Sequence, residues 1–369
     1  MKKDKNSYKP DWTPKNAGKE FAVRVVKGVD QNQATYSSGS VKPNSLKIDD
    51  YVDGVLNHNR TLLAKTITLI ESNSEKHFEL AHKVLQKLLL HSGNSIRVGI
   101  TGVPGAGKST FIEALGMYLI NQGHKVAVLT VDPSSSITRG SILGDKTRME
   151  KLSRENNCFI RPSPSGGALG GVARKSRETI LVCEAAGYDI ILVETVGVGQ
   201  SEITVRSMVD FFLLIMISGA GDELQGIKRG VIEIADALLV NKSDGENQKK
   251  AEIARSEYAH ALHYLKPATE GWDTPVKTCS ALTGKGIEDA WMMIENFVEL
   301  TKRTNIFEQR RKEQSIEWVH RLIEEELKNE FYNNEKVKSM LPGIKEELLA
   351  GKILTIEAAK KLLSIISSK

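Results

Sequence analysis

Residues Val98–Ile120 read VGITGVPGAGKSTFIEALGMYLI: a short apolar run, a glycine-rich turn, then a helical pattern. Within it, Gly102-x4-Gly107-Lys108-Ser109 has the composition that holds a nucleotide's phosphates. Gly102, Gly105 and Gly107 let backbone N–H groups close round a β-phosphate with no Cβ in the way. The helix that starts there turns its positive end to the same point. Lys108 adds a point charge for the β- and γ-phosphates, and the Ser109 hydroxyl is a ligand for Mg²⁺. Nucleotide contact is expected along the whole run Gly102, Val103, Pro104, Gly105, Ala106, Gly107, Lys108, Ser109 and Thr110. A glycine-rich turn matches this pattern by accident in about one chain in a hundred of this length. A strand before it and a helix after it make accident rarer still.

Outward from this stretch, between Ile96 and about Thr301, short β-branched runs alternate with helical patterns. The strand candidates are IRVGIT, KVAVLTVD, CFIRP, DIILVET, FFLLIMI, ADALLVNK and PVKTCS. Such alternation predicts a mostly parallel sheet covered by helices on both faces. Upstream, Ile48 to His91 has helical spacing, and Ser92–Ser95 marks a stop. Downstream of Thr301 the tail is highly charged, yet Ile316, Val319, Leu322, Ile323 and Leu327 recur on one helical stripe. A second, shorter helical pattern runs from Ile344 to Ile366. The expected divisions are a polar arm over 1–45, a helical extension over 46–93, an α/β domain over 94–301 and a helical arm over 302–369.

The base is read further along. In ALLVNKSDG, Asn241-Lys242-Ser243-Asp244 ends a buried strand. A carboxylate at Asp244 can accept from guanine N1–H and the exocyclic amine. Adenine lacks that donor pair and would leave the acid unpaired. Asn241 would brace the loop and could reach N7, and the Lys242 stem would cover the base plane. After the next strand, Ser280, Ala281 and Leu282 would close over O6 through a backbone N–H. A lone NKSD is a weak signal, with a strand-ending polar turn as the bland reading. In order after the phosphate loop, it points to GTP over ATP.

Two further segments look like switches. Asp132 stands at a strand end where Pro133 turns the chain away, positioned to hold Mg²⁺ directly or through water. Asp145, in a Ser/Gly/Thr-rich segment, either organises the γ-phosphate side or is a solvated loop charge. The segment SPSGGALGGVARKSRETILV is a connector or a functional loop, and its residues do not decide between them. In IILVETVGVGQSE, Glu194 ends an all-apolar strand, where an unpaired acid would be costly; a place at the metal or its water shell resolves this. Gly197 can donate its N–H to the γ-phosphate. Fast GTPase loops often carry Gln just after that glycine, whereas Val198 stands here and Gln200 comes later. Slow intrinsic hydrolysis, completed by a partner, is the expectation.

The chain has 369 residues, 40% of them hydrophobic, with a formal charge of +5. That charge is too small to suggest nucleic-acid binding. Cys158, Cys183 and Cys279 are widely spaced, which fits neither a disulfide framework nor a thiolate metal site. The longest apolar run, Phe211–Ile217, is too short to span a bilayer, and the N-terminus resembles neither a signal nor a transit peptide. A cytoplasmic protein without membrane or nucleic-acid partners is expected.

With these motifs assembled, the chain resembles the MeaB/ArgK-type GTPases, which accompany adenosylcobalamin-dependent acyl-CoA mutases such as methylmalonyl-CoA mutase. The segments that carry the likeness are GVPGAGKST, VDPSSSITRGSILGDKTRM, RPSPSGGALGGVARK, VETVGVGQSE, GDELQGIKRG and NKSDG. It extends from about Ile48 to the C-terminus. The resemblance implies an α/β P-loop GTPase fold with an N-terminal helical extension and a C-terminal dimerisation arm, hence a homodimer. It implies GTP hydrolysis that governs cofactor loading onto, and protection of, the mutase. Lys108, Asp132, Asp145 and Glu194 match the positions that the family assigns to Mg²⁺ and catalysis, with Ser109 among the metal ligands. Adenosylcobalamin would belong to the partner mutase. The competing reading is a P-loop kinase or ATPase linked to basic amino-acid transport. A nickel or cobalt metallochaperone would need clustered Cys and His, which the sequence lacks.

Overall fold

The computed structural model describes residues 46–72, 74–131, 149–162, 169–195, 201–218 and 229–367. Asp132, Asp145, Gly197, Val198 and Gln200 lie outside them.

Among the described residues, seven strands form one sheet: β1 Ile96–Gly102, β2 Val126–Val131, β3 Cys158–Pro162, β4 Ile190–Thr195, β5 Phe211–Ile217, β6 Ala237–Asn241 and β7 Val276–Thr278. Their order is β3-β2-β4-β1-β5-β6-β7, and every pairing is parallel. Each stretch expected to be a strand contributes one. The strands are apolar on both faces because both are covered. On β1, Val98 and Ile100 face one core with Phe111, Ile112, Leu115 and Ile294. On β4, Ile191 and Val193 face the opposite core with Val55, Leu63, Ile67 and Val84. Gly99 sits where a Cβ would stand 2.8–3.0 Å from Phe212, Val209 and Val205, so its missing side chain admits those three.

The region before the sheet folds into α1 Ile48–Leu56, α2 Arg60–Ile70 and α3 Glu75–Leu88. Asn59 caps α2, its side chain accepting from the N–H groups of Thr61 and Leu62 at 3.0 and 3.1 Å. Helix α4, Lys108–Asn121, follows β1; α5, Glu150–Ser153, precedes β3; and α6, Leu169–Ala185, leads into β4. Short helices α7, Ser201–Arg206, and α8, Arg229–Glu233, flank β5, and α9, Gln248–Leu262, follows β6.

After β7 come α10, Ile287–Arg303, and α11, Ile306–Asn333, which are separate helices because Asn305 takes a positive φ of 62°. At 28 residues, α11 is roughly 42 Å long. The stretch read as one short helical pattern from Ile344 to Ile366 is two helices, α12 Glu335–Leu349 and α13 Thr355–Ser367. Gly351, at φ 67°, breaks them, a conformation that glycine adopts freely.

Polar side chains fasten α11 to the edge where the parallel strands begin. Arg311 makes a two-pronged bond to Asp210, Nε to Oδ1 and Nη2 to Oδ2 at 2.7 Å each. Glu184 holds Arg97 through Nε at 2.8 Å and Nη2 at 2.9 Å, and takes the Ser95 hydroxyl and the Gly93 N–H as well. The two carboxylates are buried and each is met by a partly buried guanidinium and further donors, which is the condition under which buried ions are tolerated. No described helix is long and apolar enough to cross a membrane.

Candidate nucleotide site

The opposite edge of the sheet, where the strands end, gathers the motifs. Strand β1 stops at Gly102, the chain turns through Val103–Gly107, and α4 begins at Lys108. Gly102 has φ 151°, and a Cβ there would stand 2.1 Å from the Ile215 carbonyl oxygen. Gly107, at φ 85°, would put a Cβ 2.7 Å from Asn241 Nδ2 and 4.0 Å from Lys242 Cε. Around Gly105 a Cβ would meet nothing within 4 Å, so that side of the loop is open. Lys108 is buried and donates from Nζ to the carbonyls of Gly102 at 2.8 Å and Val103 at 3.2 Å. The ammonium is thereby held at the mouth of the loop.

Glu194 reaches the same mouth from the central strand β4. It pairs in register with Ile100 on one side and Thr130 on the other. Its Oε1 accepts from the Ser109 hydroxyl at 2.9 Å. A hydroxyl and a carboxylate this close at the start of α4 are hard oxygen donors of the kind a small divalent cation takes. The next residue, Thr195, is fully buried and donates to the Thr101 hydroxyl at 2.7 Å. This clip joins the strand of the phosphate loop to the strand of the acid. Its signal in the sequence is two hydroxyls set among apolar strand residues, and sequence reasoning did not find it.

The base-reading segments are joined to the phosphate loop by one side chain. Asn241, 1% exposed, donates from Nδ2 to the Ala106 carbonyl at 2.8 Å. Its Oδ1 accepts from the Ala281 N–H at 3.1 Å and from Cys279 Sγ at 3.5 Å. Burial pushes the Cys279 thiol up to about 12, so it stays protonated and able to donate. Of the two roles expected for Asn241, bracing the loop is the one its bonds display. Lys242 takes a positive φ of 61°, and its stem lies over Gly107. Asp244 accepts from the buried Ser280 hydroxyl, and Ser243 N–H donates to the Cys279 carbonyl at 2.9 Å. The Ser280–Ala281–Leu282 turn therefore serves the other loops, its hydroxyl on Asp244 and its Ala281 N–H on Asn241. Leu282 is 82% exposed.

A parallel sheet with a glycine-rich phosphate loop after its first strand, an acid on the adjacent strand and an NKSD segment at the same edge defines a P-loop GTPase. The family model described as Methylmalonyl Co-A mutase-associated GTPase MeaB matches residues 63–336. The chain belongs to that family, and it is a GTP-hydrolysing enzyme. It is 50% identical to GTPase ArgK of Escherichia coli over 276 residues, covering 75% of this chain and 83% of that one. It is 42% identical to the mitochondrial methylmalonic aciduria type A homolog of Mus musculus over 332 residues, covering 87% and 80%. A crystal structure described as that of an LAO/AO transport system kinase superimposes with a TM-score of 0.72 at 37% identity, covering 89% of this chain and all of that one.

Proposed function

We propose that this GTPase serves as a chaperone for an adenosylcobalamin-dependent acyl-CoA mutase, assisting loading of the cofactor and protecting the loaded enzyme. The family's description, a mutase-associated GTPase, supports that partner. The observation that carries the guanine reading is Asn241, which ties the phosphate loop to the base-reading turn while Ser280 holds Asp244. An acid oriented in this way suits guanine's paired donors and penalises adenine.

In this reading Lys108 neutralises the β- and γ-phosphates. Ser109 and Glu194 hold Mg²⁺, joined by Asp132 and Asp145 from outside the described residues. When bound, the metal offsets the charge on the phosphate oxygens. Gly197 senses the γ-phosphate, and hydrolysis is slow until the partner completes the site. Adenosylcobalamin stays with the mutase. The exposed Ile316, Val319, Ile323 and Leu327 on α11 form the face of a homodimer.

The test is GTP turnover by the full chain with and without a purified mutase of this class, together with co-purification. Stimulation and capture are expected; neither occurring with any such mutase would sink the proposal. A second reading, a transport-linked kinase, draws on the likeness to the 37%-identical LAO/AO transport system kinase. Calorimetric competition separates the two, since ATP binding as tightly as GTP would favour the kinase.

A further inference from the structure

Helix α7 lies five residues beyond the end of β4, and its far end is gripped from outside the nucleotide-binding core. A helix leaves its last carbonyls without intrahelical partners. Here Ser207 and Met208 serve the carbonyls of Ile203, Thr204 and Val205, and side chains of α11 and α6 take that of Arg206 and those of the chain just past the helix. Gln314 Nε2 donates to the carbonyls of Val209 at 2.8 Å and Arg206 at 3.4 Å. Arg177 donates from Nη2 to the Ser207 carbonyl and from Nη1 to the Gln314 carbonyl at 3.3 Å. The Arg177 guanidinium also lies over the Trp318 ring, 4.9 Å from its centroid.

Arg206, the last residue of α7, donates to the Ile234 carbonyl at 3.0 Å and to Asp236 Oδ1 at 3.4 Å. Asp236 is fully buried and also receives Arg310 at 3.4 Å and the Phe212 N–H at 2.9 Å. Arg310, Gln314 and Trp318 are spaced i, i+4 and i+8, so they share one stripe of α11. On its inner side, the α7 end fits against β1 through Val205 and Val209, in the space left by Gly99. The helix is thus clamped between the phosphate-loop strand and the C-terminal arm.

This grip lies round the helix from the exposed apolar stripe. Ile316 is two residues past Gln314, about 200° round the axis. One side of α11 holds α7 while the other stays open to a covering surface.

We propose that Gln314, with Arg310, is a positioning residue for GTP hydrolysis: it fixes the chain just past α7 and, through the packing of that helix on the sheet, the end of β4 at Glu194. The C-terminal arm thereby helps to set the turnover rate, and whatever covers its apolar stripe acts on the same rigid helix. The inference rests on the reading that Glu194 serves at the metal.

Gln314→Met in the full chain keeps the side chain's length and removes its donors. Steady-state GTP hydrolysis, GDP affinity by calorimetry and hydrogen exchange over residues 201–210 are the readouts. The expected result is a kcat changed about fivefold or more, with GDP affinity within about twofold and faster exchange over 201–210. Should Gln314→Met fail to fold, Trp318→Leu removes the ring packed on Arg177 without baring the Val209 carbonyl, and the same kcat shift is expected. A kcat within about twofold of wild type in the variants that fold overturns the proposal, whatever the exchange shows. Glu194→Gln is measured in parallel. Full activity there defeats the metal assignment and the inference that rests on it, whereas an impaired Glu194→Gln beside an unchanged Gln314→Met defeats the positioning role alone.

Discussion

Replacing Asn241 by alanine should disconnect the two halves of the nucleotide site without touching a residue expected to carry catalysis. The carboxamide joins the Ala106 carbonyl at 2.8 Å to the Ala281 N–H at 3.1 Å, in a setting where Asn241 is 1% exposed. Each such bond contributes about 1 kcal/mol net, and a buried partner left bare costs about 1–3 kcal/mol. A total loss of about 2–4 kcal/mol follows, and for a domain of this size it should lower Tm by roughly 5 °C or more. Nucleotide binding needs the phosphate loop and the Asp244 turn in register. If about 2 kcal/mol of the loss falls on the complex, GDP affinity drops about 30-fold. Thermal melts with and without GDP, alongside calorimetry, measure both parts. A variant with wild-type Tm and a GDP affinity within about twofold would refute the claim that this side chain couples the loops.

Other consequences can be checked separately. Asp244→Ala should narrow the preference for GTP over ATP by about tenfold or more, measured as a ratio of affinities; an unchanged ratio would mean that Asp244 does not read the base. Burial pushes the thiols of Cys158 and Cys279 up to about 12 and that of Cys183 higher still, so iodoacetamide at pH 8 should label none of them until the protein unfolds. Rapid labelling of the native protein would contradict their burial. Burial by itself would raise Glu184, but Arg97, the Ser95 hydroxyl and the Gly93 N–H overcome it and hold the carboxyl below its ordinary 4.5. Its stabilising contribution is therefore present above pH 4.5 and lost as pH falls through the lower folded value. Glu184→Gln should lower Tm at neutral pH and flatten its decline below that point; an unchanged acid limb would count against the assignment.

Local chemistry made much of this molecule legible in the sequence. Gly102, Gly105 and Gly107 show in the sequence because their positive-φ turn suits few other residues, and the strand-loop-helix context follows from hydrophobic periodicity. The seven strands were readable because a sheet covered on both faces needs unbroken apolar runs. The sequence likewise put an acid at the end of β4 and an NKSD segment at the end of β6. Periodicity did not reveal the break at Gly351, since one residue in a charged helical stretch barely disturbs the pattern.

Tertiary structure decided what those residues do to one another. Strand order sets β4 beside β1, and that neighbourhood brings Glu194 to Ser109 and Thr195 to Thr101 across 85 and 94 residues. Asn241 meets Ala106 and Ala281 only because β6 ends level with the phosphate loop. The polar stripe of α11, with Arg310, Gln314 and Trp318, is indistinguishable in sequence from a solvated helix face. It becomes a grip beside α7 because the buried carbonyls just past that helix need donors, and the sequence does not say which distant chain segment supplies them.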